Sequence, residues 1–353
     1  MAGSPRSECI VMASLLPLLL LSTVSSGHTT YYIKPTHNTP CPADPCFTLS
    51  DYAQQLPNYL TSNTTLLLLP GDHVLSVNFT VRNVSSLEIL SSADSHATRI
   101  VCQGLIGFSF RNISQMAIRG LTVNSCGNGA ATDHLPTTYG VLVHSVLDTS
   151  ISDCSFHHSV GTALVVSFSS LNLRGSNSFA SNCRRCLDKS TIFGGGIHAW
   201  NSTLNFSGNS TFSNNNNSAE YGEGIVAVYS TLNFIGSSTF GNNLAAIYGG
   251  AVCAFFNTVV NFNGDTILRN NSAKYGGGIH AQGSALNLNG SSIFKTTQLR
   301  LRVEGFLHHT TLLQWRSQGR VVARAQVGQG CMHYRAKLFL KIIFIISVRS
   351  TLF

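Results

Sequence analysis

The chain has 353 residues, only 10% of them charged, and a formal net charge of +8. Residues 1–297 hold 13 Lys/Arg and 13 Asp/Glu, whereas residues 298–353 hold nine Lys/Arg against a single acid, Glu304. The basic excess is confined to the tail, which argues against a nucleic-acid-binding surface on the body.

Ile10 to Val24 is almost wholly apolar, with Leu18–Leu21 at its centre, and the small residues Ser25-Ser26-Gly27 follow. The run is short for a membrane span and sits at the terminus, so residues 1–27 are read as a signal peptide. Residues 28–84 are expected to form an N-terminal cap. In that segment Cys41-Pro-Ala-Asp-Pro-Cys46 is placed for a local disulfide.

From residue 85 the pattern is short alternating runs broken by Gly, Ser and Asn. Examples are Phe108-Ser109-Phe110-Arg111, Tyr139 to His144, Ile151 to Phe156 and Leu171-Asn172-Leu173. Such runs are strands, not helices. Between residues 193 and 294 the pattern becomes a repeat. Phe193-Gly194-Gly195-Gly196-Ile197-His198-Ala199 returns at Tyr221, Tyr248 and Tyr275, at spacings of 28, 27 and 27 residues. Each unit continues with a second phrase (Thr203-Leu204-Asn205-Phe206 in the first) and a third (Gly208 to Phe212), and three units add Asn214-Asn215, Asn242-Asn243 and Asn270-Asn271.

Three strands in about 27 residues make one coil of a parallel β-helix, whose coils stack at about 4.8 Å. Matching positions then lie above one another. Leu204, Leu232, Val260 and Leu286 should form one interior row, and Phe206, Phe234, Phe262 and Leu288 another. Asn205, Asn233, Asn261 and Asn287 should face outward. The expected fold class is all-β: a right-handed parallel β-helix of roughly eight coils over 85–297. Length alone would allow two or three ordinary domains, but no linker interrupts the alternation.

The phrases Gly249-Gly250-Ala251-Val252 and Phe212-Ser213-Asn214-Asn215 resemble the polymorphic outer-membrane-protein repeat, a Gly-Gly-Ala-Ile phrase followed by Phe-x-x-Asn. The resemblance covers about 193–294 and implies a right-handed parallel β-helix. Bacterial autotransporter members also carry a C-terminal membrane barrel, a role for which this chain has no matching segment. The wider region looks like the large secreted right-handed β-helix families of eukaryotes.

After Phe294 the repeat breaks: Lys295-Thr296-Thr297 stands where Asn-Asn belongs. Residues 298–353 are expected to lie outside the solenoid, as the product of a mispredicted exon, intron read-through or frame error. A basic membrane-contacting tail is the alternative, and membrane association is expected only if the tail is genuine.

Ten Asn-x-Ser/Thr sequons, at Asn63, Asn78, Asn83, Asn112, Asn201, Asn205, Asn209, Asn216, Asn270 and Asn289, fit a secreted glycoprotein. Eight cysteines remain once Cys9 and Cys331 are set aside, an even number that suits an oxidising compartment. Cys183-Arg-Arg-Cys186 has redox-motif spacing but no thioredoxin-like context, so a structural pair is expected.

The search for chemistry yields little. Acids are sparse, and Asp148 and Asp153 are read as turn caps rather than a catalytic pair. Glu220 and Glu223 flank a repeat turn and are read as solvated. His198 and His280 share a repeat position three coils apart, about 14 Å, too far to share one metal ion, and are read as surface histidines. The Gly-rich phrase lacks the helix N-terminus and Lys-Ser/Thr of a phosphate loop. No cofactor is implied. The expected function is a secreted, non-enzymatic binding or structural module for an extracellular protein or glycan. The alternatives are a polysaccharide lyase or glycosidase of pectin-lyase-like fold, and a truncated copy without function.

Overall fold

The computed structural model describes residues 28–59, 62–93, 97–127, 138–183, 193–215, 220–295, 299–301, 312–317 and 320–326. The expected signal peptide, residues 1–27, lies outside them. Three long sheets dominate. Sheet 1 has 13 strands, and sheets 2 and 3 have nine each. The chain visits the sheets in the order 1, 2, 3 and returns to sheet 1 one layer on. Asn63–Leu68, Gly71–Leu75 and Phe79–Arg82 make one such circuit, before Ser86–Ser91 pairs parallel with Asn63–Leu68. The fold is a right-handed parallel β-helix, the hand that crossovers between parallel strands take.

The register puts like residues on like. Leu204 pairs with Leu232, Leu232 with Val260, and Val260 with Leu286, and all four are fully buried. Phe206, Phe234 and Phe262 stack with ring centroids 4.4 and 4.7 Å apart. A second stack inside sheet 2 joins Phe156, Phe179, Phe212 and Phe240 at 4.9, 5.0 and 4.8 Å. The stacks meet edge to face where Phe234 and Phe240 lie 5.7 Å apart at 75°.

Two of the three corners use a residue with left-handed backbone followed by an inward polar side chain. From sheet 2 to sheet 3 the left-handed residues are Asn214, Asn242 and Asn270, with φ of 55°, 55° and 52°. Asn215, Asn243 and Asn271 follow and are buried. Asn243 Oδ1 accepts from the backbone N–H of Asn215, and Asn243 Nδ2 donates to the carbonyl of Phe212. The Asn-Asn phrase thus satisfies backbone groups that the turn would otherwise leave bare. From sheet 1 to sheet 2 the coils press closer. A Cβ on Gly236 would lie 2.3 Å from the carbonyl oxygen of Gly208, so this row admits only glycine.

Two boundaries differ from expectation. Strands from Asn63 onward already belong to the stack, so the solenoid starts before residue 85. What caps it is the strand Thr29–Lys34, the strand Cys46–Thr48 and one helix, Leu49–Tyr59. Thr48 caps the helix: its Oγ1 accepts from the Asp51 N–H, and its hydroxyl donates to Asp51 Oδ2. Leu49 and Tyr52 close the core, Tyr52 lying over Phe79 at 6.3 Å. At the other end Leu299–Leu301 pairs with Ile279–Gln282, and Leu312–Ser317 pairs with Ala285–Leu288. Part of the segment placed outside the solenoid therefore prolongs sheets 3 and 1, because a parallel edge accepts any backbone in register.

Phe234→Ala removes a ring stacked on both faces and should destabilise the protein by roughly 3–5 kcal/mol. The midpoint of denaturant unfolding monitored by circular dichroism checks this; a loss below about 1 kcal/mol would mean that the stack carries little of the core.

Candidate functional site

Sheet 1 presents a flat outer face. Along it the register brings Asn172, Asn205, Asn233, Asn261 and Asn287 into one row, each partly buried. The Nδ2 groups of Asn205, Asn233, Asn261 and Asn287 donate to Oδ1 of the preceding row member at 3.0, 2.8, 2.8 and 2.7 Å. Asn172 Nδ2 donates to the carboxylate of Asp148 at 3.0 Å. A primary amide has two N–H groups and two lone pairs. The row uses one of each within it, so each interior amide keeps one donor and one acceptor for a ligand, repeated at about 4.8 Å. Shorter exposed rows lie at the corners instead: Asn270 and Asn242 donate to Asn242 and Asn214 between sheets 2 and 3, and Asn289 donates to Asn263 after sheet 1.

The edge of this face, where sheet 3 turns into sheet 1, holds an open trough of about 290 Å³. Leu147, Phe168, Asn201, Thr203, Tyr229 and Thr231 are among its lining residues. Phe168, Asn201, Tyr229 and Phe256 occupy the corner in successive coils with φ of 51°, 45°, 51° and 43°. Left-handed backbone is an outlier for a bulky residue and costs on the order of 1–3 kcal/mol. A buried hydroxyl row holds it there. Ser169, Ser202, Ser230 and Thr258 each turn inward and donate to a carbonyl at the end of the strand before. Each also accepts from the backbone N–H of the residue one coil earlier: Ser169 from Val146, Ser202 from Ser169, Ser230 from Ser202 and Thr258 from Ser230. The residue before Ser169 and Ser230 is forced outward, so Phe168 and Tyr229 are 52% and 46% exposed; in the next coil Phe256 and Asn257 are both left-handed before Thr258, and Phe256 is 51% exposed. Tyr229 lies 5.6 Å from Trp200 and 5.7 Å from Phe256, ring to ring. Sequence reading missed this row. Its signal is an aromatic directly before the Ser that leads into a sheet 1 strand, as in Phe168-Ser169 and Tyr229-Ser230.

Seven of the ten sequon asparagines are exposed: Asn78, Asn83, Asn112, Asn201, Asn209, Asn270 and Asn289. Asn63 and Asn205 are half-buried, and Asn216 lies outside the described residues. Asn205 faces outward, but within the amide row. Cys41 and Cys46 are bonded. Cys102 and Cys126, not paired from the sequence, form a second disulfide across 24 residues. Cys183 is disulfide-bonded, and Cys186 lies outside the described residues. Cys154 and Cys253 are free and buried.

The acids and histidines are placed as follows. Asp148 Oδ1 accepts from Asn172, and Asp153 Oδ1 accepts from the backbone N–H of Ser176; each serves the neighbouring coil. Glu220 is exposed, but Glu223 is fully buried, not solvated. His198 and His280, read as surface residues, are also fully buried. Alternation does turn them out of the solenoid core, with Val226 and Cys253 between them in register. There, however, the aromatic that opens each phrase folds back over sheet 3. Phe193 stacks on His198 at 4.6 Å, and Tyr248 lies 4.5 Å from His280. Phe193, Tyr221, Tyr248 and Tyr275 form a row with centroids 5.7, 5.4 and 5.2 Å apart. Phe193, Tyr221 and Tyr248, with Trp200, roof a second small core containing Val226, Val228, Cys253 and Phe255. Burial alone pushes the His198 imidazole down to about 4.

No known family profile matches the chain, and no curated protein matches it. Solved structures do. Pectin methylesterase PemA from Erwinia chrysanthemi aligns over 74% of this chain and 90% of its own, at 10% identity and a TM-score of 0.38. An alginate lyase from Paenibacillus sp. str. FPU-7 aligns over 75% and 97%, at 10% identity and a TM-score of 0.34.

His198 binds a proton less readily folded than unfolded, where its value is 6.5. Its neutral form supports the fold fully above about 6.5, and that support is lost as pH falls towards about 4. His198→Val, which copies Val226, should flatten the fall in stability between those values by a few kcal/mol. Denaturant midpoints across this window decide it; identical slopes in the two proteins would refute the assignment.

Proposed function

We propose that this chain is a secreted, glycosylated β-helix protein that acts as a non-enzymatic extracellular binding or structural module. Its ligand is an extended glycan or an extracellular protein segment laid along sheet 1. The repeat is taken to be of the polymorphic outer-membrane-protein kind, on its Gly-Gly-Ala and Phe-x-x-Asn phrases. The apolar run Ile10–Val24 and the seven exposed sequons support secretion, and the Cys41–Cys46 and Cys102–Cys126 disulfides fit an oxidising compartment.

The observation that carries the binding reading is the amide row. Hydrogen bonds to its neighbours fix each interior amide, so it presents a preformed donor and acceptor with little entropy left to lose. An uncharged array of this kind matches the hydroxyl and carbonyl groups of polysaccharides and extended peptides.

The test is retention and cleavage on immobilised polygalacturonate, alginate, xylan and β-glucan. Retention without new reducing or unsaturated ends is expected. Replacing Asn233 and Asn261 together by Ala should weaken retention roughly 5- to 140-fold, at about 0.5–1.5 kcal/mol for each amide lost. Product formation would replace this reading with the polysaccharide-active enzyme, and undiminished retention by the double variant would move the ligand off sheet 1.

A further inference from the structure

We propose that Asn201 carries an N-linked glycan whose first N-acetylglucosamine lies back in the corner trough, between Phe168 and Tyr229, instead of extending into solvent. This rests on the secretory reading above. Asn201-Ser202-Thr203 is a sequon, and Asn201 is exposed, lines the trough and is held outward by left-handed backbone with φ of 45°. Ser167 pairs with Trp200 and Trp200 with Val228, so Phe168 and Tyr229 flank Asn201 one strand spacing away on either side, about 4.8 Å.

Asn201 differs from four of the other sequons by a free side-chain donor, and from Asn209 by its aromatic neighbours. The Nδ2 groups of Asn112, Asn205, Asn270 and Asn289 donate along rows to Asn83, Asn172, Asn242 and Asn263. No described residue accepts from Asn201 Nδ2. The second difference is the aromatic on each side. Asn209, also exposed, pairs with Ser176 in the coil before. A pyranose offers an apolar C–H face that packs on an aromatic ring; Phe168, edge-on to His144, and Tyr229, beside Trp200 and Phe256, still leave about half of their surface exposed. The hydroxyls of Ser170, Thr203 and Thr231 line the same trough, within reach of sugar hydroxyl and acetamido groups. A trough of about 290 Å³ is at the small end of ligand clefts and suits a single sugar ring rather than a long chain.

The covalent step is an ordinary group transfer. The donor is an oligosaccharide linked through diphosphate to a lipid carrier. Asn201 Nδ2 forms a C–N bond to the anomeric carbon, the sugar–phosphate C–O bond breaks, the lipid diphosphate leaves and one Nδ2 proton is released. The transfer completes before the corner folds, and the rings then close on the sugar.

The test uses the full chain secreted from a eukaryotic host that leaves glycans in high-mannose form. Peptide mapping after deglycosylation in heavy-oxygen water reports occupancy at each sequon. An endoglycosidase that cuts between the first two N-acetylglucosamines reports access, in the folded and in the unfolded protein. We expect Asn201 to be occupied and, in the folded protein only, to be cut at least about tenfold more slowly than other occupied sites. That ratio corresponds to about 1.4 kcal/mol of packing. Phe168→Ala with Tyr229→Ala should bring Asn201 to the rate of the others, and an unchanged melting temperature confirms that the variant is folded; Tyr229→Ala alone serves if the double variant unfolds. Equal cutting in the folded wild-type protein, or an empty Asn201 beside occupied sequons, overturns the proposal. All sequons empty would overturn the secretory reading as well.

Discussion

In a parallel stack the backbone N–H groups of one coil meet the carbonyls of a neighbouring coil, and the register repeats from layer to layer. That pairing carries Trp200 onto Val228 and Asn205 onto Asn233 with no freedom to slip, because a one-residue shift would turn Leu204 and Phe206 outward. Identical side chains are thereby forced into columns. A column helps only if its members attract one another. Phenylalanine stacks on itself, and asparagine donates to itself and accepts from itself. A charged residue would repel its copy at about 4.8 Å. The 10% charged content of the chain follows from this geometry as much as from its environment.

The corners depend on the same columns. A three-sided coil must turn sharply where backbone groups lose their strand partners. Buried Asn215 and Asn243 serve one corner, and buried Ser202 and Ser230 another. These side chains force the preceding residue into left-handed backbone. At the first corner that residue is Asn214 or Asn242, for which the conformation is inexpensive. At the second it is Phe168 or Tyr229, for which it is not, so the most exposed aromatics are also the most conformationally costly. The strain is tolerated because the hydroxyl column beneath over-determines the turn.

The sheets and interior columns were legible in the sequence because they follow a period of two inside a period of 27 or 28, and both are written in residue type. The free capacity of the amide row was not, since it depends on which hydrogen bonds the row consumes itself. The burial of His198, His280 and Glu223 was hidden for a different reason. Alternation says which way a side chain points from its strand, not whether another segment covers that side. The aromatic that opens each phrase was read as part of a turn, and it is a roof. The Thr48 cap was present in the sequence but was not read as a helix start, the surroundings being almost wholly strand.

The amide row has a direction. From Asn287 through Asn261, Asn233 and Asn205 to Asn172, every N–H points toward the N-terminal end, and the last meets the carboxylate of Asp148. The bond dipoles add head to tail, each polarising the next, with a fixed negative charge where the positive ends converge. Uncharged residues have become a vector lying on the surface. A chain molecule with two different ends would not bind this face equally well in both senses; it would have a preferred heading, as a strand does in a parallel sheet.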